Sequence, residues 1–125
     1  MNSDELNATT ERIIGAAFQV ANTLGTGFLE KVYENALAYE MRKRGLVVEQ
    51  QKCIDVLYDG HRVGTYIADL VVEGCVLVEL KVAKALDEIH MARCLNYLKA
   101  TGLPLALLFN FGTAKIQIQR IVRKA

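Results

Sequence analysis

The run Cys75 to Val82, Cys-Val-Leu-Val-Glu-Leu-Lys-Val, constrains the fold more than any other stretch of the chain. It is aliphatic on both faces, which predicts a strand in the middle of a sheet, covered on each side. Glu79 and Lys81 interrupt it. Two residues apart on a strand, they point to the same face, together with Cys75 and Leu77. Val76, Val78, Leu80 and Val82 take the other face. A buried charge is costly unless it is paired or holds an ion. The two charges are therefore a structural ion pair, a strand end emerging into water, or part of a site.

The flanking sequence supplies cover for such a strand. From Leu6 to Leu24, Ile13, Ile14, Ala17, Phe18, Ala21 and Leu24 recur at helical spacing, and Gly25-Thr26-Gly27 reads as the break. A second helix is expected from Phe28 to Arg44, with Leu29, Val32, Tyr33, Ala36, Leu37 and Met41 on its buried side and Gly45 as the stop. Leu46 to Tyr58 favours strand. Asp59-Gly60 is a turn, Val63 to Val72 a strand, and Glu73-Gly74 a second turn. A third helix fits Asp87 to Ala100, and Leu103–Asn110 and Lys115–Val122 read as further strands. The order predicts an α/β fold: a mixed central sheet of three antiparallel strands, a crossover helix and further strands, flanked by helices. With 125 residues and 52% hydrophobic content, the chain has material for one core, and residues 1–125 read as a single domain without linker or repeat.

Composition narrows the partners. The net charge is +1, so no broad basic footprint of a strong phosphate binder is present, and a local patch has to serve instead. Basic residues cluster at Arg42-Lys43-Arg44 and from Arg120 to Lys124. Cys53, Cys75 and Cys94 have no zinc or redox spacing, and their odd number argues against a disulfide framework. They read as reduced, buried thiols. The start, Met1-Asn2-Ser3-Asp4-Glu5, is polar and acidic, and no apolar run approaches the ~20 residues that span a bilayer. The expectation is a cytoplasmic chain with no membrane partner. Glu40, near the middle of the second helix's apolar stripe, reads as a structural partner for an arginine or a backbone group.

Asp69 turns the charged pair into a candidate site. It lies on the preceding strand, again among apolar residues. A three-residue loop, Val72-Glu73-Gly74 with Gly74 left-handed, would pair Val71 with Cys75 and set Asp69 opposite Leu77, on the face of Glu79 and Lys81. A two-residue loop would put it on the other face. The three-residue loop is the expectation. Two carboxylates and an ammonium then converge, and oxygen ligands suit a hard divalent cation such as Mg²⁺ or Mn²⁺. On the third helix, His90, Arg93 and Tyr97 share a face that can be aimed at the same spot.

Asp69 followed by Glu79-Leu80-Lys81 resembles the D…(D/E)-x-K signature of the PD-(D/E)XK nuclease superfamily. Gly27-Phe28-Leu29-Glu30-Lys31-Val32-Tyr33 is similar to the G-x-x-E-x-x-Y motif of the GxxExxY proteins within it. Tyr33-Glu34-Asn35-Ala36-Leu37 and Leu95-Asn96-Tyr97-Leu98-Lys99 add to the likeness, which extends from about Thr10 to Val122. The resemblance implies a restriction-endonuclease-like core and a metal-dependent nuclease acting on nucleic acid, with DNA ahead of RNA. Asp69 and Glu79 would be metal ligands and Lys81 would assist the attacking water. A glutamate on the first core helix would add a ligand: Glu30 by the motif, or Glu34 by its distance from Gly45. Many relatives carry a glutamine four residues before the tyrosine of the third helix. Here that position is Arg93, which would either contact substrate phosphate with Tyr97 and His90 or pair with the carboxylates. The alternative is a non-catalytic binding module that keeps the fold. A homodimer through the first helix and a C-terminal edge strand is a further expectation.

Overall fold

The computed structural model describes residues 2–123. Met1 and Lys124, at the ends of the acidic start and the C-terminal basic cluster, lie outside the described residues. The elements follow the order α1 (Ser3–Leu24), α2 (Glu30–Lys43), β1 (Val48–Tyr58), β2 (His61–Val72), β3 (Val76–Lys81), α3 (Glu88–Thr101), β4 (Leu105–Asn110) and β5 (Gln117–Val122). The sheet order is β1-β2-β3-β4-β5. All neighbours run antiparallel except β3 and β4, which are parallel and joined through α3. A parallel pair needs such a crossover, and this one makes β3 the central strand, as its two apolar faces require.

Two layers cover the sheet. α1 and α2 pack with Ile13, Ala17, Tyr33, Leu37 and Met41 on Val76, Val78, Leu80, Leu105 and Leu107. α3 packs with Cys94 and Leu98 on Val71, Leu77, Ala106 and Leu108. Alternate residues of β3 thus face opposite helices, and Glu79 continues the α3 side begun by Leu77. The result is a mixed α/β architecture of the restriction-endonuclease-like kind. Among the described residues, no helix is long and apolar enough to cross a membrane.

Several expectations need correction. α1 begins at Ser3 because the Asn2 side chain accepts the Glu5 N–H at 2.8 Å and caps it. α2 begins only at Glu30, so Leu29 lies before it and is 80% exposed, and Val32 is also exposed. Phe18 is exposed on the outer side of α1. Of the cysteines only Cys94 is buried; Cys75 is partly buried and Cys53 exposed. Glu40 has the structural role expected of it, pairing with Arg44 at 2.8 Å and Lys43 at 3.2 Å.

Candidate active site

The turn between β2 and β3 sets the site. Val72 pairs with Val76, Val71 with Leu77 and Leu70 with Val78. The loop is therefore Glu73-Gly74-Cys75, not Val72-Glu73-Gly74, and Val71 does not face Cys75. Glu73 and Gly74 both have positive φ, 55° and 65°, and the Cys75 N–H closes on the Val72 carbonyl at 3.1 Å. Glu73 belongs to the turn because the approach to β1 holds it: its N–H reaches the Val47 carbonyl at 2.8 Å and its carboxylate accepts the Val47 N–H at 2.7 Å. The loop has three residues either way. Asp69 therefore keeps the expected parity but comes level with Glu79 rather than Leu77.

At Asp69 the ladder between the two strands gives way. The Leu80 N–H, which would serve β2 backbone in a continued ladder, donates instead to Asp69 Oδ2 at 2.9 Å. The Asp69 backbone N–H in turn favours the ionised form of the Glu79 carboxylate. Side-chain alternation also breaks here: Ala68 and Val71 both pack with the α3 layer, while Leu70 packs with α1 and α2. Gln51, between the residues paired with Ala68 and Leu70, has φ 55°. The strands separate where the two carboxylates stand, and the gap opens into a cleft of about 190 Å³.

Glu30, Asp69, Glu79 and Lys81 line this cleft, and α3 contributes His90, Arg93 and Tyr97. Glu30 arrives from the other helical layer because of the loop ahead of it. Tyr33 O–H donates to the Gly25 carbonyl at 2.6 Å, and the Tyr33 oxygen accepts the Phe28 N–H at 3.3 Å. The ring stacks on Phe111 at 4.8 Å. Gly27 takes φ 109°, which a side chain would resist. Gly27, Glu30 and Tyr33 thus form a small device that fixes the start of α2 and directs its first residue. Glu34, one turn later, does not line the cleft. It is buried, and its carboxylate accepts from Lys31 (3.0 Å), Gln50 (2.6 Å) and Gln51 (2.7 Å).

Burial dominates the electrostatics. It pushes the Glu79 carboxyl up to about 8, against the Asp69 N–H and Lys81, which favour ionisation. Burial likewise raises Asp69, opposed first by the Leu80 N–H. Glu30 is open to solvent on one side, yet crowding by the cleft raises it too; Lys81 opposes this and Asp69 adds to it. Three carboxylates repel one another around one ammonium. Neither Lys81 nor Arg93 forms an ion pair among the described residues, so Arg93 does not occupy the carboxylates. One arginine of each basic cluster is engaged elsewhere: Arg42 donates to the Val48 carbonyl at 2.9 Å, and Arg120 to Asn7 at 2.7 Å. His90 is partly spent on structure, since its Nδ1 accepts the Asp87 N–H at 3.3 Å within the capping box of α3.

The donor set is sparse for a divalent cation. Among the described residues, no group of three or more His, Cys, Asp or Glu side chains is placed to hold a metal ion. Asp69 and Glu79 nevertheless offer two desolvated, mutually repelling carboxylates beside open space. This fits a hard ion that keeps several waters and takes one or two protein carboxylates.

Sequence reasoning missed two contributors. Tyr66 donates its O–H to Glu79 Oε1 and stacks on Tyr97 with the rings 12° from parallel. No feature of the local sequence pattern around Tyr66 points to this contact. Asn110, fully buried at the end of β4, accepts the N–H groups of Ala83 (3.0 Å) and Gly112 (2.9 Å). It also donates to the Ala83 carbonyl (3.0 Å) and Gln117 (2.9 Å). It anchors the segment that leaves β3 just after Lys81. A single buried amide at a strand end has no signature in sequence.

The comparisons with known proteins agree with this fold. A model of the PD-(D/E)XK nuclease superfamily matches residues 7–121. Among solved structures, one described as the crystal structure of SSO0001 superposes with a TM-score of 0.56 at 13% identity, covering 77% of this chain and 51% of that one. At that identity the likeness concerns the fold, and this chain corresponds to about half of that structure. None of the curated proteins matches the sequence.

Proposed function

Since the chain belongs to the PD-(D/E)XK nuclease superfamily, whose members typically use divalent metal ions, we propose that it is a Mg²⁺- or Mn²⁺-dependent phosphodiesterase acting on nucleic acid. One observation carries this reading: Glu30, Asp69, Glu79 and Lys81, contributed by three separate elements, line one cleft. Asp69 and Glu79 would hold the cation, and Glu30, on the wall of the same cleft, is the candidate for a further oxygen once the ion is bound. Glu34 is the weaker candidate because its carboxylate is already engaged. A bound cation supplies a Lewis acid that polarises a phosphoryl oxygen and lowers the pKa of water.

The chain's own groups do the rest. Lys81 orients the attacking water and stabilises charge as it develops on the phosphate. Water adds to phosphorus, the bond to the leaving oxygen breaks, and a phosphomonoester and a hydroxyl result. Arg93, unpaired at the rim, contacts a substrate phosphate, and Tyr97 and His90 line the same wall. The free Arg93 favours catalysis over the binding-module alternative, which would be better served by an arginine locked onto the carboxylates. The device around Gly27, Glu30 and Tyr33 supports a place among the GxxExxY proteins. DNA remains ahead of RNA as substrate. A homodimer, with the exposed Phe18 of α1 or Val122 of β5 at its contact, is testable by sedimentation over a concentration series.

The test is cleavage of single- and double-stranded DNA and RNA with Mg²⁺ or Mn²⁺, alongside calorimetric titration of the metal. Cleavage is expected with metal and is expected to vanish in Asp69→Ala and Glu79→Ala. No cleavage of any form, together with no metal bound at millimolar concentration, defeats the reading.

A further inference from the structure

Two aromatic side chains stand over the carboxylates, and neither belongs to the acidic and lysine motif. Tyr66 projects from the part of β2 that precedes its pairing with β3 at Leu70, and its O–H donates to Glu79 Oε1. The carboxylate is therefore held by a side-chain donor on one oxygen, with lone pairs left for the cleft, while the Asp69 backbone N–H favours its ionised form. A glutamate has three side-chain torsions, and a ligand that swings freely loses entropy when it is captured. A fixed hydroxyl donor removes part of that freedom in advance.

Tyr66 is itself braced. Its ring lies against Tyr97 of α3 with the planes 12° apart. The Tyr97 hydroxyl has no hydrogen-bond partner among the described residues. The stack thus spans the gap between the strand that carries Asp69 and the helix that carries Arg93. We infer that Tyr66 is a positioning residue for Glu79: its hydroxyl holds the carboxylate in the orientation that accepts a divalent cation, and Tyr97 holds the Tyr66 ring in place. The role rests on the cation site proposed above. Hydrogen bonds to ligating carboxylates act in this way generally, and their loss costs about 10- to 100-fold in metal affinity.

The test is calorimetric titration of Mn²⁺ into the whole chain, comparing wild type, Tyr66→Phe and the control Tyr58→Phe, with thermal melting of each in chelator. Tyr66→Phe keeps the ring and its stack and removes only the hydroxyl. Tyr58 is 75% exposed on the far part of the β1–β2 hairpin. The expected result is an affinity about 10- to 100-fold weaker in Tyr66→Phe, with its metal-free melting temperature close to wild type and the control unchanged. A purely structural tyrosine would shift the melting temperature and leave the affinity of the folded protein alone. Affinity in Tyr66→Phe within about twofold of wild type overturns the inference and leaves the nuclease reading standing. No binding by wild type at millimolar Mn²⁺ overturns both.

Discussion

Replacing Glu79 by glutamine isolates the energetic consequence of placing a carboxyl in this cleft. Burial pushes that carboxyl from 4.5 up to about 8. In the native protein it therefore keeps its proton over a range in which the unfolded chain releases one. Stability falls with rising pH wherever the native state binds more protons. The contribution is fully present below about pH 4.5 and is lost progressively as pH climbs to about 8. At about 1.36 kcal/mol per pH unit, the whole window is worth at most about 5 kcal/mol. Glutamine is neutral throughout and still accepts from Tyr66, so Glu79→Gln removes this loss. Urea denaturation in chelator at pH 5 and pH 8.5 measures it. Wild type is expected to lose about 2–4 kcal/mol between the two, and Glu79→Gln markedly less, the remainder coming from Asp69 and Glu30. At pH 8.5 the variant should therefore be the more stable protein, while the proposed function has it lose cleavage. Saturating Mn²⁺ should abolish the wild-type loss, because a cation favours the ionised form. Equal pH slopes in wild type and variant, or a wild type that gains stability towards pH 8.5, would refute the reasoning.

Three further outcomes are expected. Asn110→Ala leaves half-buried polar groups of Ala83, Gly112 and Gln117 without their partner. A loss of about 2–4 kcal/mol lowers the melting temperature of a 125-residue chain by about 8–15 °C, readable by calorimetry; a shift under about 3 °C would contradict the anchoring role. Tyr33→Phe removes the hydrogen bond to Gly25 and should cost about 1 kcal/mol in denaturation, with a several-fold weaker affinity for Mn²⁺. Unchanged affinity would separate that loop from Glu30. Lys81→Met should reduce single-turnover cleavage about 10²- to 10³-fold while leaving a titratable Mn²⁺ site, and full activity would exclude the lysine from the chemistry.

Much of the architecture was legible because burial is written into β3. Aliphatic residues on both of its faces announce a central strand, and two charges among them announce a conflict needing a partner. The side of Asp69 was legible too, since any odd loop preserves parity. Its register was not. The shift depends on Glu73 being tied to Val47, 26 positions away, and local turn preferences contain no trace of that tie. The buried face of α2 was misjudged at Leu29 and Val32 because helical periodicity fixes a stripe only once the first turn is known. Glu30 and Glu34 were inseparable by spacing. Two glutamines on β1 distinguish them by satisfying Glu34 from outside its own helix. Tyr66 and Asn110 escaped because each acts through one long-range hydrogen bond or cluster and departs from no local pattern.

The amide that links Leu80 to Asp69 has a spectroscopic consequence. A strand amide held by a neighbouring backbone carbonyl reports on the sheet; this one, held by a carboxylate oxygen, reports on the site. Its proton resonance and its rate of exchange with solvent will follow the charge and position of Asp69. Leu80 itself is buried against the opposite layer and touches none of the chemistry. A single backbone signal on the central strand can therefore register a cation arriving in the cleft, with no label added and no site residue altered.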